Sequence, residues 1–442
     1  MNVKERLRFA IKAMAFLFAA IMGTAQGAEL TFDKDIAPIF YAKCVSCHRP
    51  GEAAPMSLIT YKEARPWAAD IREKVAARVM PPWHADPHYG QFTNDRTLSR
   101  KQIETIVDWV KSGAAEGNAT DLPAVPQFTQ GWKIGQPDVV FELPAEYQIP
   151  ARGTIDYQYF AVSPDFKEDR WVKAAEIRVG DRAHVHHAIV AVVPPKGVKG
   201  EAADDDVYQL NQILPTGQTP FKFLGDDDTT LSHRFDSGYW VGNWVPGLDP
   251  HIYPADTGIR IPAGSTLIFQ VHYITNGTPG RDRTKIGLIF AKEPLEREVM
   301  TGKILNLTFT IPPGESNQIV ESEATFLQDV KLWSLTPHMH LRGKDMTYTA
   351  TYPDGRSQIL LKDPKYSLPW QTEYFLKEPL TLPKGTKIHV TAHFDNSPNN
   401  PLNPDSTATV HWGHQTFEEM MVGFFTYSFV NVEKTAMVQS PR

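Results

Sequence analysis

Six side chains in the middle and the end of the sequence could bind metal ions. His338 and His340 are two residues apart in TPHMHLRGK, which reads as a buried strand. Side chains at positions i and i+2 of a strand leave the same face, so both imidazoles can reach one ion. AHVHHAIVAVV, LIFQVHYITNG and HQTFEEMMVGFF add three more imidazoles and a thioether, namely His186, His187, His272 and Met420.

The adjacent pair His186 and His187 is less simple. Neighbouring residues face opposite sides of a regular strand, so both could bind one ion only at a twist, a bulge or a strand end. His184 with His186 is the simpler pair on one face, and the residues alone leave both pairings open. Each of these histidines, taken singly, could instead be a core residue hydrogen bonded to a backbone carbonyl.

A second chemical motif is the sequence CVSCH, which contains the only two cysteines of the chain, Cys44 and Cys47, followed by His48. This spacing is the attachment motif of a c-type haem, in which both thiols form thioethers and the histidine binds the iron. A disulfide or half of a zinc site are the alternatives. A zinc site would need further thiolates, which the sequence does not contain.

The sixth ligand of such a haem is predicted to be Met80 in ARVMPPWHADP, beside the rigid Pro81-Pro82 pair. A methionine ligand raises the reduction potential, which suits electron transfer. Met56, His84 and His88 are competing candidates.

The N-terminus and the charge limit where the protein works and what it binds. Residues 1–27 have a basic start, an uncharged apolar run and small residues at the end, the pattern of a secretory signal peptide. With a c-type haem motif, this predicts a periplasmic or secreted bacterial protein with no membrane span after cleavage. The net charge of −6 and the lack of basic runs argue against nucleic-acid binding.

The elements that must position these residues fall into three predicted domains. Residues 28–117 contain two helical patterns, DIAPIFYA and LSRKQIETIVDWVKSG, and resemble a small all-α class I cytochrome c domain. Residues 118–135 read as a linker because they are rich in Pro, Gly and polar residues. Short alternating runs between turn residues then predict two all-β sandwich domains, at residues 136–297 and 298–435.

The motifs AHVHHAIV, LIFQVHYIT, PHMHLRGK and EEMM resemble, in order and spacing, the copper motifs of the copper type II, ascorbate-dependent monooxygenases. This family includes dopamine β-monooxygenase and the peptidylglycine α-hydroxylating enzyme, and the resemblance covers roughly residues 140–430. It implies two jelly-roll-like sandwiches, each with one copper, facing across a water-filled cleft. The implied ligands are His186, His187 and His272 for the first copper, and His338, His340 and Met420 for the second.

The residue types agree with that chemistry. Imidazoles bind both oxidation states of copper, whereas a thioether favours Cu(I), so the second group suits dioxygen and the first suits electron storage. Thr336, Val422 and Phe424 stand where the peptide-amidating branch has Arg, Asn and Tyr. The sequence therefore does not favour peptide amidation and suggests an apolar or aromatic substrate.

Three hypotheses follow. The leading one is an exported monooxygenase that hydroxylates a C–H bond of a small molecule with O2, with electrons arriving through a fused haem c. The external donor would be ascorbate or a periplasmic redox protein. A haem and copper electron carrier without oxygenase activity is the second. In the third, the β domains only bind a partner or a glycan and the histidines are structural.

Overall fold

The structure is a computed structural model of the 442-residue chain. It describes residues 29–430 except 53, 130, 197, 199–207, 211–229, 255 and 294. The predicted signal peptide at residues 1–27 lies outside these residues. Within them, no helix is both long and apolar enough to cross a bilayer.

Contacts divide the described chain into two compact units. The first, here called the helical unit, contains residues 29–50, 54–81 and 98–126. The second, here called the β unit, contains residues 51–52 and 82–97 and the described chain from 127 onward. Strands are far more numerous than helices, so the predicted predominance of β structure is confirmed.

Capped, amphipathic segments build the helical unit. In the last long helix, the Ser99 side chain accepts from the N–H of Gln102, whose own side chain accepts from the N–H of Ser99, which closes a capping box. The same helix buries Trp109, whose ring lies 6.2 Å from that of Phe32. The elements are a π-helical turn Phe32–Ile36, α1 Ala37–Lys43, α2 Tyr61–Ala64, a 3-10 turn Arg65–Trp67, α3 Ala68–Ala76, α4 Arg100–Lys111 and a 3-10 turn Ala119–Asp121.

Among its described residues, the β unit contains one short helix, α5 Leu231–Asp236, and 23 strands. Their bounds are β1 Val139–Glu142, β2 Tyr147–Ile149, β3 Gln158–Val162, β4 Arg170–Arg178, β5 Val185–Val193, β6 Tyr208–Leu210, β7 Tyr239–Trp244, β8 His251–Ile252, β9 Thr257–Ile261, β10 Thr266–Tyr273, β11 Gly280–Asp282, β12 Lys285–Phe290, β13 Arg297–Glu298, β14 Met300–Leu305, β15 Thr310–Ile311, β16 Gln318–Phe326, β17 Val330–His338, β18 Gly343–Thr351, β19 Ser357–Asp363, β20 Tyr374–Leu382, β21 Lys387–Phe394, β22 Val410–His411 and β23 Val422–Phe429.

Two hydrophobic cores organise these strands. The first core lies between a sheet of order β1-β12-β4-β9-β13, with β8 added to β4, and a sheet of order β3-β10-β5-β7. The second lies between sheets of order β14-β23-β17-β20 and β19-β18-β21-β16-β6. Two small pairs, β2 with β11 and β15 with β22, complete the topology. The first core ends at Val299 and the second takes up Met300, close to the predicted division at residues 297 and 298.

Two segments do not follow the predicted domain limits. Strand β6 lies within the residues predicted for the first sandwich, but it pairs with β16 of the second core. Its Tyr208 is buried there against the rings of Phe326 and Phe425. Residues 82–97 were expected in the cytochrome domain but belong to the β unit. There Trp83 packs 5.0 Å from the ring of Tyr374. Aromatic side chains on these segments fill the second core, and burial determines where the segments pack.

Candidate metal centre

The first histidine group is formed where β5 and β10 pair. His272 faces His187 in the antiparallel register, and the next pair is Tyr273 with Val185. His186 is therefore the extra residue of a β-bulge, and no residue of the described strand β10 pairs with it. The bulge removes the strict alternation of side chains, so the adjacent His186 and His187 can turn towards the same point.

The three rings lie close together. Their centroids are 5.0 to 5.5 Å apart, and one ring nitrogen of each lies within 4.8 Å of one nitrogen of the other two. The two Nδ1 atoms of His186 and His187 are 3.2 Å apart. His272 Nδ1 is buried and finds no hydrogen-bond partner among the described residues. This arrangement suits a shared cation, since an unsatisfied buried nitrogen costs about 1–3 kcal/mol.

Burial keeps these imidazoles neutral. It lowers the pKa of His186 to about 4 and that of His272 to about 3, with nearby His186 adding to the effect on His272. The pKa of His187 falls well below its ordinary value, first through burial and then through the surrounding histidines. A metal ligand must be deprotonated, so all three rings are in the form that binds metal at neutral pH.

His184, the alternative partner of His186, is engaged elsewhere. Its Nδ1 lies 2.8 Å from Asp181 Oδ2 and its Nε2 lies 3.0 Å from the carbonyl oxygen of Thr278. Burial lowers the pKa of His184, but these two contacts outweigh it and the net shift is upward. Both ring nitrogens are used, so the geometry favours His187 over His184 as a member of the group.

The second histidine group lies at the end of β17. The strand stops at His338, so His340 stands just beyond it, whereas the sequence predicted both on one strand. The two rings are nevertheless 5.3 Å apart and nearly perpendicular. Burial lowers the pKa of His338 to about 4 and that of His340 well below its ordinary value.

Met420 is placed beside this group by the register of β17 and β23. His338 pairs with Val422, and continuing the antiparallel register by two residues sets Met420 opposite His340. The Met420 side chain is buried. The preceding Glu419 holds the segment before β23 against the segment after β17. Its Oε2 accepts from the His340 N–H at 2.8 Å, and its Oε1 accepts from the Arg342 N–H at 2.6 Å.

The hydrogen bonding of His340 shows which of its ring nitrogens is available to a metal ion. Its Nδ1 lies 3.3 Å from the carbonyl oxygen of Glu418 and donates to it, which leaves Nε2 with the lone pair. Nε2 is buried and unpaired within the part of the chain that the structure describes. The second group therefore offers this nitrogen and a nitrogen of His338 as possible metal donors.

The two groups adjoin, which departs from the water-filled cleft that the resemblance implied. The amide of Gln371 lies between them, with Oε1 3.0 Å from His338 Nδ1 and Nε2 3.3 Å from His187 Nδ1. The ring of Tyr157 lies 4.6 Å from that of His272 and 6.2 Å from that of His340. These two buried side chains occupy the space between the groups.

Sequence analysis did not identify the residues that support the two histidine groups. Gln270 Oε1 lies 3.4 Å from His187 Nε2, and Gln270 stands two residues before His272 on the same strand face, a spacing that could have identified it. Gln371 and Tyr157 come from distant segments and carry no comparable signal. The backbone of Gln371 also lies in the left-handed region, with φ of +33°, where residues other than glycine are strained.

The helical unit contains the CVSCH motif in a turn that continues α1. The N–H groups of Cys47 and His48 both donate to the carbonyl oxygen of Cys44, at 3.1 and 2.9 Å. Both thiols are free, and burial raises the pKa of Cys44 to about 12. Two free thiols and an imidazole on one turn match the donor set that a c-type haem requires.

The surroundings of His48 favour the neutral form of its imidazole. Burial lowers its pKa, and the nearby backbone of Met56 offsets part of that effect. Its Nδ1 is buried and forms no hydrogen bond of normal geometry with any described residue.

The candidates for the opposite haem ligand are separated by the fold. Met80 follows α3 in the helical unit, where its N–H donates to the carbonyl oxygen of Lys74. His84 and His88 belong to the β unit, and His88 is exposed and bonded to Asp86. Met80 and Met56 belong to the same unit as His48, and Met80 stays the prediction.

Comparisons with known proteins do not identify a family. No protein-family model and no curated protein matches the chain. Among solved structures, it has a distant likeness to PNGF-II, with 10% identity, a TM-score of 0.26 and coverage of 66% of this chain and 65% of that one. A structure of infectious bursal disease virus strain Gt has 9% identity and a TM-score of 0.18, with coverage of 70% of this chain and 74% of that one. The mavirus major capsid protein has 6% identity and a TM-score of 0.19, with coverage of 71% of this chain and 91% of that one. The chain spans less than two thirds of the first of these, and TM-scores this low carry no argument about function.

Proposed function

We propose that this chain is an exported copper-dependent monooxygenase that receives electrons through a covalently attached haem c. The observation that supports it most is the convergence of His186, His187 and His272 at a bulge, next to a second group that contains His338 and His340. On this proposal the helical unit is a class I cytochrome c domain. The two β cores are the jelly-roll-like sandwiches of the copper type II monooxygenases.

The residues fit two copper ions. Buried nitrogens without hydrogen bonds among the described residues, His272 Nδ1 and His340 Nε2, would each be satisfied by a cation. Three imidazoles form one donor set, and two imidazoles with the Met420 thioether form the other. Copper held there would supply single-electron reduction of O2 and oxidation of a substrate C–H bond.

The protein residues orient the donors. His187 Nε2 donates to Gln270 Oε1, which leaves its Nδ1 lone pair directed towards His186. His340 Nδ1 donates to the Glu418 carbonyl, so its Nε2 is the ligand atom. Tyr157 and the apolar surroundings bury His187, His272 and His340. This burial keeps their imidazoles neutral.

The overall reaction balances with an external reductant. One substrate C–H bond, one O2, two electrons and two protons yield one C–OH group and one water. The electrons would come from ascorbate or a periplasmic redox protein, one at a time.

The CVSCH motif fits the electron-input role. The thiols of Cys44 and Cys47 would add to the two vinyl groups of the haem, and His48 would bind the iron, with Met80 as the opposite ligand. A haem in this position supplies single electrons, which matches a reaction that needs two in succession.

Metal analysis combined with oxygen uptake tests the proposal. Protein matured with haem and loaded with copper should contain one iron and two copper ions per chain. It should consume O2 in the presence of reductant and a hydroxylatable small molecule. Replacement of both His338 and His340 by Ala should remove one copper and all substrate-dependent uptake. Absence of copper in carefully loaded protein would overturn the assignment.

A second function is favoured by one observation. Gln371 and Tyr157 fill the space between the two groups, which favours electron transfer between them over admission of a substrate. The protein would then be a haem and copper electron carrier. It would bind two copper ions and exchange electrons with the haem, but no small molecule would increase its O2 uptake.

A further inference from the structure

A cavity of about 640 Å³ lies within the β unit, outside the histidine groups. Its lining comes from both cores, including Trp240 of β7 and Trp333 of β17, and from Thr93, Asn94 and Arg96 of the segment that precedes α4. Small-molecule sites in proteins have volumes of roughly 300–1,000 Å³. The cavity is therefore large enough for a compound with one or two rings.

The cavity approaches the second histidine group. Trp240 and Asn243 line it and also line a narrow gap beside His187, His338 and Gln371. The ring of Trp240 lies 4.3 Å from that of Phe424, which is 5.9 Å from the ring of His338. Two aromatic side chains thus stand between the cavity and the histidine.

A buried carboxylate supplies the polar contact inside the cavity. Glu373 is 3% exposed, and its Oε1 accepts from the Ser334 hydroxyl at 2.6 Å. Among the described residues, its Oε2 has only a long contact of 3.4 Å to Asn243 Nδ2, and His251 Nε2 is 3.6 Å away. Because a carboxylate offers about four acceptor positions, Glu373 can accept a further hydrogen bond from a ligand.

The charges around the cavity argue for a neutral ligand. Arg96 and Lys377 balance Asp249 and Glu373, so the ionised side chains of the lining sum to zero. A charged ligand would lack a net counter-charge in a largely apolar site. The aromatic rings of Trp240, Trp333 and Phe375 favour a flat apolar body.

We infer that this cavity binds a neutral aromatic alcohol, with the ring against the tryptophans and the hydroxyl donating to Glu373. That the cavity is the substrate site rests on the proposed function. Binding itself does not, because it needs neither copper nor haem reduction. The two ideas can therefore fail separately.

The test uses the full-length protein with its haem but without copper, and 2-phenylethanol as the probe. Equilibrium dialysis should show saturable binding of one molecule per chain. Ethylbenzene, which has no hydroxyl donor, and 2-phenylethylammonium, which is charged, should each bind at least tenfold more weakly. Equal binding of ethylbenzene, or tighter binding of the cation, would overturn the ligand class.

Two variants locate the site. Glu373→Gln should weaken 2-phenylethanol binding at least tenfold while leaving ethylbenzene binding unchanged. Leu248→Trp, at a half-buried lining position, should block both ligands by filling the cavity, and it does not depend on a buried charge. Undiminished binding in folded Leu248→Trp protein, or no binding to the wild type, would overturn the inference.

Discussion

His187 and His338 lie on strands of different sheets and are joined by one side chain, that of Gln371. Its Oε1 accepts from His338 Nδ1–H at 3.0 Å, and its Nε2 donates to His187 Nδ1 at 3.3 Å. The first contact leaves His338 Nε2 free to bind a metal. The second uses the same His187 nitrogen that faces His186. Gln371 must therefore release His187 when that nitrogen binds an ion.

Gln371→Leu tests this bridge. Leucine has a similar volume and the same backbone cost in the left-handed region, so the change removes mainly the two hydrogen bonds. We expect copper affinity at the second group to fall about tenfold or more, because His338 loses the partner that orients it. Affinity at the first group should not fall. Competitive titration with a Cu(I) chelator measures both.

The matched control for this experiment is Gln148→Leu, an exposed glutamine on β2. It should leave both affinities unchanged. Equal weakening of the two groups by Gln371→Leu would contradict a bridge that supports only the second.

Met420→Leu should remove the copper of the second group and all substrate-dependent O2 uptake, while the first group keeps its ion. The swap preserves volume, so the loss of stability should stay below about 1.5 kcal/mol. Metal content per chain and oxygen-electrode traces are the measurements. Met421→Leu, a fully buried neighbour, is the control and should retain both ions. If Met421→Leu rather than Met420→Leu lost the ion, the register argument would be wrong.

His48→Ala should prevent stable haem attachment and leave copper binding intact, because the CVSCH motif lies in the helical unit and the histidine groups lie in the β unit. Haem staining of denatured protein and copper analysis of the same sample give the two readouts. His88→Ala, an exposed position, should keep its haem. Loss of copper in His48→Ala would show that the two units do not mature independently.

Asp363 should make the stability of the β unit depend on pH. Burial raises its pKa to about 7, against about 4 in an unfolded chain. Between these values the carboxyl keeps its proton in the folded protein but loses it in the unfolded chain, so the contribution of Asp363 to stability is full below about pH 4 and is lost as the pH rises to about 7. The change amounts to roughly 4 kcal/mol at most.

Urea unfolding of the wild type and of Asp363→Asn at several pH values between 4.5 and 7.5 measures this effect. As the pH rises through this range, the unfolding free energy of Asp363→Asn should increase relative to that of the wild type by up to this amount. Asp156→Asn, at an exposed position, should show no such relative change. Parallel pH profiles for the wild type and Asp363→Asn would show that this carboxyl is not responsible.

The sequence predicts the local part of this architecture well. Alternating strands and the amphipathic helix at Arg100–Lys111 follow from patterns over a few residues. The sequence also predicts that His186 and His187 can converge only where the strand is irregular. The bulge opposite His272 is such a position.

Long-range packing was not predictable in the same way. Tyr208 and Trp83 carry their segments into the second core, and nothing near them in sequence indicates that destination. Gln371 approaches both histidine groups from a turn before β20, and only the three-dimensional fold brings it there. For the same reason the sequence suggested an open cleft where the structure has buried side chains.

The central claim is that the haem passes electrons to a copper-dependent reaction in the β unit. It is tested most directly by mixing fully reduced protein with O2 in a stopped-flow spectrometer and following the haem absorbance. With copper loaded and substrate present, the haem should reoxidise rapidly, and this phase should disappear in copper-free protein and in His272→Ala. Haem reoxidation at the same rate with and without copper would contradict the account.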